Sequence, residues 1–276
     1  MKIYAFSDEA SASLDGQIAA MRRNGLDGTE IRGVDGENIS AVTVVKAKEI
    51  LRRLKDNGLS VWSVGSPVGK IPLDGGGFDR HLDLFRHTLD IARELECGNL
   101  RMFSFYLPEN TPPEDCRNEV ISRLGRMAEI AKGSGVILCH ENEKAIYGDT
   151  AARCADILDA VPSLRCVFDP ANFIQCGQSV PEAWALLGSR VYYMHIKDAL
   201  ADGTVVPAGR GAAGLPDILR DFVSRGGRAV SVEPHLRVFE GLASLERDMK
   251  TPLPAGTYAS ADAAFDAACG ALKALL

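Results

Sequence analysis

Short apolar runs and longer amphipathic segments take turns along this 276-residue chain, and that alternation constrains its fold more than any single residue does. The runs Ile3–Phe6, Gly28–Ile31, Ser60–Val64, Leu100–Phe105, Val136–His140, Arg165–Phe168, Val191–Ile196 and Ala229–Val232 are rich in Val, Ile, Tyr and Phe, the residues strands favour. Between them, Leu14, Ile18 and Met21 share one helical face. Val44, Ala47, Leu51 and Leu54 do the same, as do Leu82, Phe85, Leu89 and Ala92, and Val120, Leu124, Met127 and Ala131. Glycine stands just before the next strand in "RNGLDGTEI", "DNGLSVWSV", "GSGVILCHE" and "RGGRAVSVE", where a helix end needs a left-handed residue. Strands that alternate with helices pair in parallel, because a parallel neighbour is reached only through a crossover. Eight such units predict a single closed (β/α)8 barrel domain over residues 1–276. An open doubly wound sheet is the rival, but "AFSDEASASLDG" after the first strand carries no glycine-rich dinucleotide fingerprint.

Composition narrows the partners. At 46% hydrophobic and 25% charged residues, the chain can bury a core of its own. A net charge of −6 argues against nucleic acid as the main partner, since phosphate neutralisation needs clustered Lys and Arg. Seven cysteines without regular spacing do not make a disulfide framework. "MKIYAFSDEA" has no apolar signal core, and no run approaches the roughly 18 apolar residues of a spanning helix. The expectation is a cytoplasmic protein with no membrane partner. The irregular stretch from Leu236 to Ser260, with Pro252 and Pro254, reads as an active-site loop or a subunit contact, which leaves a homo-oligomer open.

In a parallel barrel the active site lies at the C-terminal strand ends. The last four strands each deliver one strong ligand there: Glu141, Asp169, His195 and Glu233. Three converging carboxylates would repel unless a cation sat among them. Two Glu, one Asp and one His form a hard, oxygen-rich set that suits one divalent ion, Mn or Mg, and admits Co or Zn. Each residue alone has a plainer reading: Asp169 before Pro170 as a helix cap, Glu233 before Pro234 as a turn, His195 as a core histidine. Their coincidence at successive strand ends favours the site.

The segments "GTEIRGVDGENI", "CHEN", "FDPANF", "HIKDA", "VPAGRGAAGL" and "VEPH" together make the chain resemble the xylose isomerase-like TIM barrels, in particular the sugar phosphate isomerase/epimerase group with its ketose 3-epimerases and inosose dehydratases. The resemblance spans nearly the whole chain. It implies the same four metal ligands, with Glu141 and Glu233 also transferring protons on opposite substrate faces through an enediolate. One departure is local: many members carry D-x-x-H after strand six, where this chain has Asp169 and Asn172. The histidine-rich endonuclease relatives bind three zinc ions, and five histidines here do not match them.

The resulting expectation is a metal-dependent isomerase or epimerase of a small sugar, sugar phosphate or keto-polyol. A dehydratase on the same barrel is the alternative, and a non-catalytic sugar-binding barrel a further one. Candidate substrate contacts are Lys70 in "SPVGK", Asn172, Lys197 at the same parity as His195, Arg210 in "AGRG", and His235 beyond Glu233. Lys70 and Arg210 could equally be solvated loop charges. Asp198 could brace a neighbouring loop, Arg101 and Glu30 could pair inside the barrel, and Glu143 reads either as a residue that supports the site from behind or, the reading favoured, as a solvated neighbour of it. Trp62 and Phe105 are either a sugar wall or core, and Cys139 a small buried hydrophobe below Glu141.

Overall fold

The computed structural model describes residues 1–239, 242, 251–254 and 256–276. Eight parallel strands form its barrel: β1 (Lys2–Ala5), β2 (Gly28–Ile31), β3 (Ser60–Gly65), β4 (Asn99–Met102), β5 (Ile137–Glu141), β6 (Arg165–Phe168), β7 (Val191–Ile196) and β8 (Ala229–Val232). The ring closes where β1 bonds both β2 and β8, with Ala5 opposite Thr29 on one side and Val232 on the other.

Helices α1 (Leu14–Arg23), α2 (Val44–Asp56), α3 (Phe78–Glu94), α4 (Pro113–Ala131), α5 (Ala151–Ala160), α6 (Pro170–Gln175), α7 (Val180–Leu187), α8 (Leu215–Ser224) and α9 (Ala261–Lys273) follow in the crossovers and at the end. Ser13, Thr43, Thr150, Asp169, Ser179 and Ser260 each accept a backbone N–H at a helix start, satisfying a donor that the helix itself cannot. The apolar stripes of α3 and α4 are buried, as their 3.6-residue period requires. None of the helices among the described residues is long and apolar enough to cross a membrane.

Inside the ring, Tyr4, Cys139, Val167, Tyr193 and Ala229 form a buried apolar layer, with Trp62 and Tyr192 packed against it. Trp62 stacks on Tyr4 at 5.4 Å and Tyr192 at 5.9 Å, so it belongs to this layer and not to a sugar wall. Phe105 is fully buried against Phe78 and is likewise core. Strand side chains alternate faces, so the next inward positions above Cys139, Val167 and Tyr193 are Glu141, Asp169 and His195. Cys139 therefore lies below Glu141, as expected.

Four strands differ from their expected limits, β1 and β3 by a single residue and β4 and β5 in ways that bear on the site. β4 stops at Met102 because the chain then leaves the ring to bond the preceding crossover: Phe103 N–H donates to Val68 O (2.9 Å) and Phe105 N–H to Gly69 O (3.0 Å). Phe105 takes a left-handed backbone (φ 65°) to make that exit. β5 runs one residue further than expected, so that Glu141 is itself the last strand residue. In the stretch after β8, residues 240, 241, 243–250 and 255 lie outside the described residues, and the expectation of a covering loop or subunit contact falls largely on them. Its end returns to the mouth, where Val205 N–H donates to Pro252 O (3.0 Å). α9 is then tied to α1 by Arg23, which pairs with Asp262 (2.6 Å) and Asp266 (2.9 Å).

Candidate active site

Glu141 ends β5, Asp169 follows β6, His195 lies in β7 and Glu233 follows β8. All four are buried, and each offers one ligand atom within 4.8 Å of the others. Ligands about 2.1 Å from a common ion lie roughly 3–4 Å apart, so this cluster is the size of one coordination sphere. Asp169 shows how the backbone fixes such a ligand. Its Oδ1 caps α6 by accepting the Asn172 N–H (2.9 Å), Pro170 takes the first helical position, and Oδ2 is left buried with no aligned hydrogen-bond donor. A buried carboxylate oxygen that faces the Lys197 ammonium without an aligned hydrogen bond, beside two more carboxylates and an imidazole, fits a hard divalent cation.

Charged neighbours surround the cluster. His195 Nδ1 lies 2.9 Å from Glu141 Oε1, 3.6 Å from Glu233 Oε2 and 3.8 Å from Asp169 Oδ2. Lys197 Nζ stands 2.8 Å from both Asp169 Oδ2 and Glu233 Oε2. Each glutamate gives its remaining oxygen to an arginine: Arg101 meets Glu141 Oε2 at 2.9 Å, and Arg32 meets Glu233 Oε1 at 3.3 Å. Burial pushes the Glu141 carboxyl up, but His195 and Arg101 outweigh it and hold the group below its ordinary value. Glu233 is held well below for the same kind of reason, burial being overcome by Lys197, His235, His195 and Arg32. Burial wins at Asp169, whose carboxyl is raised despite Lys197. Burial opposes charge on Lys197, yet Asp169 and Glu233 carry its ammonium well above the usual lysine value.

The expected substrate contacts divide. Asn172 is buried at the cluster's edge, its Nδ2 2.9 Å from Asn142 O and 3.4 Å from Glu141 Oε1, with Oδ1 unpartnered. Lys197 points into the cluster itself. Lys70 stands 4.4 Å over the Phe103 ring and pairs with Glu143 at 3.0 Å. His235 has left strand geometry (φ 43°), and its Nδ1 lies 2.9 Å from Glu9 Oε1 without hydrogen-bond alignment. Arg210 is exposed on its loop. That loop is braced as expected: the Asp198 carboxylate accepts the N–H groups of Ala199, Gly209, Gly211 and Ala213. A Cβ on Gly211 would stand 2.1 Å from Asp198 Oδ1, so glycine is required there.

Two expectations are corrected. Arg101 forms its ion pair with Glu141 and not with Glu30, because it lies on β4 beside β5 while Glu30 faces β7. Glu143 is not solvated: burial raises its carboxyl, but Lys70, Lys144 and Lys197 more than offset this and hold it far below the usual range. Three neighbours of the site, Glu9, Glu30 and Arg32, had no site role among the expectations. Glu30 lies in β2, Arg32 follows the strand at the same parity, and Glu9 ends the turn after β1. Arg32 is buried among Asp8 (2.8 Å), Glu9 (3.0 Å) and Glu233. The shared parity of Glu30 and Arg32 was the available signal that both side chains turn inward.

Comparison with known proteins agrees with this architecture. The family model described as the xylose isomerase-like TIM barrel matches residues 18–253. Fructoselysine 3-epimerase of Escherichia coli O157:H7 is 26% identical over 153 residues, covering 52% of this chain and 55% of that protein. The chain thus spans about half the length of the curated relatives it matches. Among solved structures, the IolI protein with a bound zinc atom superimposes with a TM-score of 0.78 at 16% identity, covering 100% of this chain and 98% of that one. L-ribulose 3-epimerase gives a TM-score of 0.76 at 20% identity, covering 100% and 95%. At these identities the likeness is one of fold.

Proposed function

The chain belongs to the xylose isomerase-like TIM-barrel family, and on that premise we propose that it is an enzyme, a divalent-metal-dependent isomerase or epimerase of a small sugar, sugar phosphate or keto-polyol. The observation that supports this most is the matched setting of Glu141 and Glu233. Each is buried, each commits one oxygen to an arginine, and each turns the other toward His195. Epimerases among the relatives and structural neighbours, and the zinc atom of the IolI structure, support the same reading.

Glu141, Asp169, His195 and Glu233 would hold one ion of the Mn, Mg, Co or Zn kind. When bound, that ion polarises a substrate carbonyl and stabilises the negative charge that proton removal places on its oxygen. The protein's own part is to move the proton. β5 and β8 stand three apart around the ring, so Glu141 and Glu233 approach a central substrate from different sides. One takes the proton beside the carbonyl and the other returns a proton to the opposite face. Arg101 and Arg32 fix the rotation of the two carboxylates, so each presents a chosen oxygen. Lys197, Asn172, Lys70 and His235 would contact substrate oxygens, and Arg210 at the rim would meet an anionic substituent.

Dehydration of a keto-polyol is the second reading, and Lys197 is the observation in its favour. Its ammonium, 2.8 Å from Glu233 Oε2, is a second proton source beside the same carboxylate. Protonating a leaving hydroxyl would complete an elimination that Glu141 begins.

The test is solvent exchange. With added Mn²⁺, a panel of ketoses and inososes in D₂O is followed by NMR. Wild-type protein is expected to exchange the hydrogen next to the carbonyl, and Glu141→Gln and Glu233→Gln to lose that exchange by about 10²–10⁴-fold with an unchanged circular dichroism spectrum. Near-normal exchange in either variant removes that residue from the mechanism. Saturable binding with no exchange for any polyol favours a sugar-binding barrel instead.

A further inference from the structure

The imidazole of His195 has two nitrogens in two different settings. Nδ1 faces the carboxylate cluster, while Nε2 lies 3.1 Å from Glu30 Oε2, a fully buried carboxylate outside that cluster. The other Glu30 oxygen accepts the Tyr193 hydroxyl at 2.8 Å, and that hydroxyl lies 3.2 Å from Ser63 Oγ. Phe6 packs its edge on the His195 ring at 5.1 Å and Tyr193 does so at 5.7 Å, so the ring is bounded as well as bonded.

We propose that Glu30 is the positioning residue of this centre: it holds His195 with its proton on Nε2, so that Nδ1 is the nitrogen presented to the metal ion. The proposal rests on the metal reading given above and deepens it. A ligating histidine must be deprotonated at the nitrogen that binds and commonly donates its other N–H to a carboxylate, which fixes both tautomer and ring orientation. Here Glu30 Oε2 is the acceptor. Tyr193 donates to Oε1 and prevents the carboxylate from rotating away. Ser63 in β3, Tyr193 in β7 and Glu30 in β2 thus form a brace across the inside of the barrel, directly above its apolar layer. A carboxylate this deeply buried needs compensating partners. Its hydrogen-bond partners among the described residues are the Tyr193 hydroxyl and the His195 ring.

Two measurements test this without relying on turnover. In protein labelled with ¹⁵N-histidine and loaded with Zn²⁺, the His195 ring is expected to show Nε2 protonated and Nδ1 as the metal-bound nitrogen. The shift pattern of a metal-bound Nε2 overturns the proposal. Zn²⁺ affinity is measured by competition with a chromophoric chelator for wild type, Glu30→Gln, Glu30→Leu and Tyr193→Phe. Glu30→Leu is expected to weaken binding by about 10–100-fold, Tyr193→Phe by less, and Glu30→Gln, which keeps an acceptor oxygen, by less than Glu30→Leu. Unchanged affinity in a folded Glu30→Leu protein overturns the role. Should that variant not fold, Tyr193→Phe and the wild-type ring spectrum still decide. Wild-type protein that takes up no Zn²⁺ removes the metal centre as well, an outcome distinct from a wild type that binds and a variant that binds equally.

Discussion

Two arginines close on one phenylalanine. Arg32 lies 4.5 Å from the Phe6 ring centre and Arg101 5.2 Å, and each guanidinium ends on one of the two candidate acid–base glutamates. The stacking limits where the guanidiniums can go, and so limits the carboxylates they hold. Removing Arg101 leaves Glu141 buried with less compensating charge, a change that typically costs about 3–5 kcal/mol in a buried pair. Arg101→Met is therefore expected to lower unfolding free energy by about 3 kcal/mol, and Arg101→Met with Glu141→Gln to lose at least about 1 kcal/mol less than the sum of the single changes. Urea unfolding of the four proteins measures this, and additive losses would mean that the pair is not coupled. The four strand-end residues were legible in the sequence because each interrupts or follows a buried apolar run at inward parity. Partnerships were not. Parity sends Glu30 and Arg101 inward, but only the ring's closure decides that Arg101 meets Glu141 and Glu30 meets His195. Lys70 and Glu143 are 73 positions apart, and no local pattern joins them.

Among the elements, the crossover that carries Lys70 is held by a histidine on the next helix. His81 of α3 accepts the Gly69 N–H at its Nε2 (2.8 Å), and Gly69 packs so closely on Phe103 that a Cβ would stand 2.1 Å from its carbonyl oxygen. Burial pushes the His81 imidazole down to about 4 from an ordinary 6.5. As the pH falls below 6.5 the unfolded chain takes up this proton first, so the neutral histidine's contribution is full above about 6.5 and is lost toward 4. Between pH 7 and 4.5 the wild type is expected to lose about 2–3 kcal/mol more stability than His81→Gln, whose amide oxygen can still accept the Gly69 N–H. Parallel stability curves for the two proteins would contradict this. His81 adjoins the helical stripe that begins at Leu82, but no sequence pattern could place it under Gly69, because the contact depends on β4 leaving the ring at Met102. A run from Leu100 to Phe105 reads as one continuous strand, and the bonds that end it early come from another crossover.

For the molecule as a whole, the alternation of eight apolar runs with helical stripes sufficed for the closed barrel, since a parallel ring has few other ways to hide both faces of eight strands. That topology gathers residues from β5, β6, β7 and β8 at one end. The three carboxylates there, together with Asp8 and Glu9 that share Arg32, outnumber Lys197 and the two arginines, which gives the folded state a reason to bind a cation that the unfolded chain lacks. What such a mouth accepts depends on loops, whose sequences follow no period and whose pairings, such as Asp198 with Gly209 and Gly211, exist only once folded. A metal centre at these strand ends is tested by the metal content of the purified protein, measured by elemental analysis after loading and desalting, in wild type and in Asp169→Ala and His195→Ala. About one equivalent of divalent metal is expected in wild type, and its loss in both variants. Wild-type protein that takes up neither Mn²⁺, Co²⁺ nor Zn²⁺ would contradict it.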